Sequence, residues 1–281
     1  MIDGIQAIID LALWEDIGHQ DLTTKSLIDE KEKGAAILQA KEAFLLAGME
    51  VFSRVFFRLE KEIEINSFFS DGAEIKKGDV IAELKGPLWA LLSGERTALN
   101  FLQRLSGIAT YTREVVKKVE GYPVRILDTR KTTPGWRLLE KSAVRVGGGF
   151  NHRFGLFDGV LIKDNHIRAV GSIAKAVEIA RAKVPLTMKI EVEVNSLKEV
   201  EEALKAKADI IMLDNMSLEE MKLAVDKIEG RAIVEASGGI TLENIESVAK
   251  TGVDFISMGV LTHSVKAVDI SMELEKSCCL Q

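Results

Sequence analysis

Five cations stand where short apolar runs give way to polar loops. Arg130 and Lys131 follow the run at 125–128, and Lys163 follows the run at 159–162. His152 and Arg153 close the glycine-rich stretch Gly147-Gly148-Gly149-Phe150-Asn151. Arg pairs planar oxyanions through two parallel hydrogen bonds and Lys acts as a point charge, so such a set suits a ligand with several carboxylates or phosphates. Taken singly, each of these side chains also reads as an ordinary solvated charge. Glu193 and Asp214 belong to the next two apolar runs, and Glu191 shares a strand face with Glu193. These carboxylates either neutralise nearby cations or bind sugar hydroxyls or Mg²⁺, a hard ion that prefers oxygen ligands. Ser237-Gly238-Gly239 and Met258-Gly259 end the last two runs. Backbone N–H groups placed there can receive a phosphate, against the alternative of two plain glycine turns. His19, His166 and His263 read as solvated or structural. No His/Cys spacing supports a transition-metal site, and neither a Gly-x-Ser-x-Gly elbow nor a Walker-type loop is present.

These positions need a scaffold that gathers them. Apolar runs at 125–128, 159–162, 188–194, 210–213, 232–235 and 255–258 are followed, from the second onward, by amphipathic stretches at 172–183, 196–205, 217–228 and 242–251. Ser172, Ser196, Ser217 and Thr241 are placed to cap the four helices. Repeated strand–helix units imply parallel strands with right-handed crossovers. No G-x-G-x-x-G follows the first strand, and polar residues recur at the strands' carboxyl ends, which favours a TIM-like α/β barrel with all those ends on one rim. Earlier in the chain, a helix runs from Ile5 towards Trp14, followed by strands at 34–40 and 44–47, a helix at 49–60, and a strand-like piece at 62–67. A turn-rich stretch at 71–84 then leads to a helix from 88 to about 119, which Gly94 and Gly107 are placed to break. The expected division is an N-terminal α/β domain over 1–120, a barrel over 121–270, and a tail over 271–281 packed back on the first domain.

With 47% hydrophobic and 28% charged residues, the 281-residue chain can bury a sizeable core, which excludes disorder for most of its length. No apolar run approaches the ~18 residues of a membrane span, and the N-terminus lacks the pattern of a secretory signal, so a cytoplasmic protein without membrane contact is expected. Cys278 and Cys279 are adjacent and cannot staple a fold. Cys278-Cys279-Leu280-Gln281 fits the loose prenylation pattern, but no basic run precedes it, and an untethered tail is the better reading. The net charge of −6 argues against nucleic acid as a partner. Between 125 and 168, nine Lys/Arg face four Asp/Glu, a local net of +5 that leaves −11 on the rest. A basic island in an acidic chain suits a small anionic ligand.

Several strings, taken in order, resemble one family. Glu95-Arg96-Thr97-Ala98-Leu99-Asn100, Leu105-Ser106-Gly107-Ile108-Ala109-Thr110, Asp128-Thr129-Arg130-Lys131-Thr132-Thr133-Pro134-Gly135 and Gly147-Gly148-Gly149-Phe150-Asn151-His152-Arg153 are similar to quinolinate phosphoribosyltransferase, the carboxylating nicotinate-nucleotide pyrophosphorylase. Leu161-Ile162-Lys163-Asp164-Asn165-His166, Leu213-Asp214-Asn215 and Leu261-Thr262-His263-Ser264 continue the match, and only the stretch after Met272 is unlike the family. The resemblance implies an N-terminal α/β domain with a hammerhead-like element, an incomplete TIM-like α/β barrel, and sites shared across a homodimer or a higher assembly. It implies transfer of a phosphoribosyl group from phosphoribosyl pyrophosphate to quinolinate with decarboxylation, giving nicotinate mononucleotide, pyrophosphate and carbon dioxide for NAD biosynthesis, with Mg²⁺. By position, Arg96 would reach into the partner's site, while Arg130, His152, Arg153 and Lys163 would line the quinolinate pocket, with Lys131 near both ligands. Glu193 and Asp214 would hold the ribose hydroxyls and the metal. Ser237, Gly238, Gly239 and Gly259 would take the 5′-phosphate, with Thr129, Met258 and Val260 as further contacts. Lys131, Lys163, Glu193 and Asp214 form the expected catalytic set.

Rival readings rest on fewer residues. A related transferase acting on nicotinate or another ring acid would need fewer cations. A biotinyl or lipoyl carrier role for 71–84 would need a modifiable lysine in another context than Lys76-Lys77-Gly78. An inactive scaffold is disfavoured because every charged rim position is filled.

Overall fold

The computed structural model describes residues 4–275, so Cys278 and Cys279 lie outside the described residues. The chain forms two compact units that interleave in sequence. One takes residues 4–113, 133–148 and 264–275, and the other takes 114–132 and 149–263. Two later segments, 133–148 and 264–275, thus cluster with the first part of the chain.

The first unit contains α1 (Gly4–Ile17), α2 (Leu22–Leu27), β1 (Lys33–Ala40), β2 (Phe44–Leu45), α3 (Met49–Leu59), β3 (Glu64–Ser67), β4 (Glu74–Ile75), β5 (Val80–Pro87) and most of α4 (Leu88–Lys118). It also contains α5 (Arg137–Val146). The last described strand of the chain, Ile270–Leu274, closes its antiparallel sheet beside β1, and the order continues through β5 to β3. A core forms where α3 buries Phe52 and Phe56, whose rings meet edge to face at 5.2 Å. The helix start is fixed by Asp71, whose carboxylate accepts the N–H groups of Gly48 and Met49, an anion at the positive end of the helix.

Gly94 and Gly107 do not break α4. A Cβ on Gly107 would lie 2.2 Å from the Lys266 carbonyl oxygen, and one on Gly94 would lie 2.9 Å from the Phe56 ring. Both glycines permit close approach within an unbroken helix. α5, which the apolar pattern did not announce, is tied to α4 by the fully buried Glu140. Glu140 takes an ion pair from Arg104 at 3.2 Å and hydrogen bonds from the Thr133 N–H and hydroxyl at 3.0 and 2.8 Å.

The second unit carries β6 (Arg125–Leu127), β7 (Val160–Ile162), α6 (Asp164–Val170), α7 (Ile173–Lys183), β8 (Ile190–Val194), α8 (Leu197–Lys205) and β9 (Ile210–Asp214). It continues with α9 (Leu218–Ile228), β10 (Ile233–Ser237), α10 (Ile245–Ala249), β11 (Phe255–Ser257) and α11 (Val260–His263). Six parallel strands stand in the order β6-β11-β10-β9-β8-β7. A closed barrel with this connectivity would also pair β6 with β7. Among the described residues that ladder is missing, so the barrel is incomplete. In its place Phe150 bridges to β6, with Phe150 N–H donating to Ile126 at 2.8 Å and Asp128 N–H donating to Phe150 at 3.1 Å.

Ser172, Ser196 and Ser217 cap α7, α8 and α9, and Ser217 forms a full capping box with Glu220. Thr241 does not cap the fourth helix. α10 starts later, after Asn244, whose side chain turns back to accept from Thr241 N–H at 2.8 Å. Strands β8, β9 and β10 are buried on both sides, as parallel strands between helices are.

Candidate active site

The carboxyl ends of the six strands surround a cavity of about 720 Å³. Its lining gathers Thr129, Arg130, Lys131, His152, Arg153, Lys163, Glu193, Asp214, Ser237, Gly238, Gly239, Met258, Gly259 and Val260, residues from every strand end of the barrel. Of the residues named from sequence, Glu191 is not in this lining, and neither is Arg96. It sits on α4 with its side chain 60% exposed.

Each side of the cavity has a local cause. Asp128, fully buried at the end of β6, accepts from the Asn151 amide at 2.5 Å and from the His152 N–H at 2.9 Å. That carboxylate therefore fixes the loop carrying His152 and Arg153. Arg153 Nη1 donates to the Gly159 carbonyl at 2.9 Å, which holds the guanidinium beside the strand end. Burial, and then the neighbouring Arg130, push the Arg153 pKa down, the mark of cations crowded together. Lys163 forms an ion pair with Glu193 across the β7–β8 rim. His166 is structural, its Nδ1 accepting the Lys163 N–H at 2.9 Å at the start of α6.

The opposite side is built from backbone. Gly238 has φ +88°, and a Cβ there would stand 2.3 Å from Asn215 Oδ1, so only glycine fits. Asn215 is itself anchored by donating its N–H to the Ser237 carbonyl at 2.9 Å and its amide to Asp214 at 2.8 Å. A Cβ at Gly259 would press on Lys131 Cδ at 2.8 Å and on His263, so this glycine leaves room for both side chains. Lys131 is positioned through its backbone, donating to Thr129 Oγ1 at 3.0 Å and accepting from the Thr262 hydroxyl at 2.7 Å.

Below the rim lie Glu191, which the sequence offered only as a companion of Glu193, and Glu235, to which it gave no role. His152 Nδ1 accepts the Arg153 N–H at 2.7 Å. Its Nε2 faces Glu191 at 3.0 Å and Glu235 at 3.6 Å. Burial alone would lower the His152 pKa, but the hydrogen bond to Glu191 and the charge of Glu235 outweigh it and hold the imidazole above its ordinary value. Burial, joined by the charge of Glu191, pushes Glu235 up to about 7, with His152 partly opposing. Glu191 Oε1 and Glu235 Oε1 are both buried without a hydrogen-bond partner. His263, which the sequence read as solvated or structural, lines the rim as well. The signal for Glu191 was its alternation with Glu193 on β8, and for Glu235 a carboxylate two residues before the Ser-Gly-Gly turn.

Comparison with known proteins bears on this geometry. Residues 21–106 match the family described as quinolinate phosphoribosyl transferase, N-terminal domain, and residues 108–273 match the corresponding C-terminal domain. The chain is 48% identical over 271 residues to a probable nicotinate-nucleotide pyrophosphorylase [carboxylating] of Bacillus subtilis, covering 94% of this chain and 93% of that protein. It is 39% identical over 296 residues to a mitochondrial quinolinate phosphoribosyltransferase [decarboxylating] of Nicotiana tabacum, covering 99% and 84%. The solved nicotinate-nucleotide pyrophosphorylase of Francisella tularensis superposes with a TM-score of 0.93 at 45% identity, covering 97% and 96% of the two chains. Human nicotinic acid phosphoribosyltransferase shares the fold, with a TM-score of 0.63 at 13% identity over 98% of this chain and 74% of that one. Among the described residues, no helix is long and apolar enough to cross a membrane.

The floor carboxyl has a stability signature. Folding raises the Glu235 pKa from 4.5 to about 7, so over that interval the folded chain holds a proton that the unfolded chain has released. The associated stability is fully present below pH 4.5 and is lost as pH rises through about 7. Thermal melts across this window should show Glu235→Gln gaining stability over wild type as pH rises. A difference between the two that stays constant with pH would contradict the assignment.

Proposed function

The chain belongs to the quinolinate phosphoribosyltransferase family, and we propose that its rim cavity sorts the two substrates between a cationic side and a glycine side. It is a decarboxylating pentosyltransferase of NAD biosynthesis. Quinolinate and phosphoribosyl pyrophosphate give nicotinate mononucleotide, pyrophosphate and carbon dioxide. The observation that carries the proposal is the sorting itself: Arg130, His152, Arg153 and Lys163 share one cavity with the backbone turns at Ser237-Gly238-Gly239 and Gly259.

Quinolinate bears two adjacent carboxylates, and removing them from water needs several fixed cations. Arg130, Arg153 and Lys163 supply these, and His152 adds a polar ring beside them. The N–H groups around Gly238 and Gly239 receive the 5′-phosphate, where a side chain would close the approach. Glu193 and Asp214, on adjacent strands, hold the ribose hydroxyls and fit Mg²⁺, which binds through one or two carboxylates together with substrate phosphates. Bound there, the ion would offset the charge of the departing pyrophosphate. Lys131 stands between the two sides and bridges the substrates' charges. Departure of pyrophosphate builds positive charge at the sugar's anomeric carbon, and the ring nitrogen, held by its carboxylates, attacks there. The 2-carboxylate leaves after the C–N bond forms, when the cationic ring can accept the electron pair. Positioning and electrostatics supply the rate enhancement.

Arg96 belongs to the cavity of a second copy in this proposal, so the working unit is a homodimer with shared sites. Two features support it: Arg96 is exposed and outside its own chain's cavity. In addition, Leu11 and Trp14 on α1 and Leu22 and Leu27 on α2 are 63–75% exposed, apolar surface of the kind that interfaces cover. Mixing Arg96→Ala with Lys163→Ala, each inactive alone, should restore up to about a quarter of wild-type turnover, because half of the heterodimer sites become complete. No recovery from subunits shown to exchange would refute the shared site.

The division of substrates predicts an asymmetric response. Arg153→Ala should raise the quinolinate KM on the order of a hundredfold and the phosphoribosyl pyrophosphate KM far less, in an assay following nicotinate mononucleotide. Equal effects on both constants would undo the division.

A further inference from the structure

Loss of carbon dioxide leaves an electron pair on the ring carbon, and the product needs a proton there. The cavity walls offer mostly cations and ion-paired carboxylates, but the floor differs. Glu235 lines the rim cavity and also a second cavity of about 420 Å³ on the other side, at the amino ends of the strands. That second space is bordered by Ile210, Ile233 and Phe255, the first residues of β9, β10 and β11. The Glu235 carboxyl thus separates two openings of one barrel. It is nearly inaccessible, and its Oε1 has no hydrogen-bond partner, a costly condition for an ionised group.

We propose that Glu235 is a further catalytic residue, the acid that protonates the ring carbon vacated by carbon dioxide, and that it is recharged through the cavity at the strands' amino ends. This rests on the activity proposed above. In the step, the bond from C2 to the departing carboxyl carbon breaks and its electron pair stays on C2, stabilised by the adjacent ring nitrogen cation. As that bond breaks, the Glu235 O–H bond breaks with it, so that its proton forms the new C2–H bond while carbon dioxide departs, and the O–H electron pair remains on the carboxylate. A proton from water restores the acid.

The surrounding charges suit this role. Glu191 on β8 stands beside Glu235, and its negative charge together with burial favours the protonated form. His152 faces both carboxylates through Nε2 and partly opposes them. Arg153 reaches both cavities, held by the Gly159 carbonyl near Asp158, while Lys189 borders the lower opening and Lys163 is paired with Glu193 above. An acid that exchanges its proton near neutral pH is matched to general acid catalysis. His152, Glu191 and Glu235 also have the donor set of a small cation site, their ligand atoms lying within 4.8 Å of one another. The test below separates that occupant from a proton.

A single turnover with quinolinate labelled at the 2-carboxyl, phosphoribosyl pyrophosphate and Mg²⁺, following pyrophosphate and carbon dioxide separately, decides the matter. In Glu235→Gln, carbon dioxide release should lag pyrophosphate release on the order of a hundredfold, with quinolinate mononucleotide accumulating. In wild type the two should coincide below neutral pH and separate as pH rises above it, a readout that stands even if the variant fails to fold. Carbon dioxide keeping pace with pyrophosphate in folded Glu235→Gln, or in wild type from about pH 6 to about pH 9, would overturn the proposal. So would stoichiometric zinc or iron in the purified enzyme that Glu235→Gln loses. Absence of pyrophosphate release by wild type would instead refute the activity on which the proposal rests.

Discussion

Like charges repel, and the cavity of this barrel gathers Arg130, Lys131, Arg153 and Lys163 within one lining. The cost is visible in Arg153, whose guanidinium is driven down in pKa by burial and by its neighbour Arg130. Much of the local structure answers that repulsion. Glu193 pairs with Lys163, the Gly159 carbonyl holds Arg153, and Glu191 and Glu235 lie under His152. What remains is a concentrated positive field, strongest where screening by water is least. A ligand with two adjacent carboxylates would relieve it, so the proposed binding of quinolinate here and the mutual repulsion of these cations share one electrostatic cause.

The barrel makes this concentration possible. Parallel register places all six strand ends on one rim, and the open edge between β6 and β7 leaves room for the loop that brings His152 and Arg153 inward. Asp128 is the pivot, a fully buried carboxylate that spends its lone pairs on Asn151 and His152. The far rim uses no charge. Gly238 at positive φ against Asn215, and Gly259 against Lys131, keep this side free of side-chain bulk, and the proposed phosphate would meet backbone donors there. In the proposed division, cations meet carboxylates on one side and amides meet phosphate on the other, which would give each substrate its own chemistry.

Much of this was legible in the sequence, because alternation of apolar runs with capped helices is a local signal. Ser172, Ser196 and Ser217 marked true helix starts, and the polar residue after each apolar run marked the rim. Tertiary packing hid the rest. Gly94 and Gly107 carry breaker chemistry, yet they allow Phe56 and the Lys266 backbone to approach an unbroken helix. α5 went unseen because its inward positions include Glu140 and Lys141, polar residues that are buried and partnered. Glu191 was legible only as a companion of Glu193, and Glu235 carried no assignment, because nothing local in the sequence shows that the strands' inward face sets both beside His152. Thr241 resembled a cap, but Asn244 reaches back and delays the helix.

The central claim is that the cationic side is built for two adjacent carboxylates. Calorimetric titration of the enzyme with quinolinate and with nicotinate, each without the second substrate, tests it most directly. The account predicts that quinolinate binds on the order of a hundredfold more tightly, with the difference shrinking as salt is added. Equal affinities for the two ring acids would contradict it.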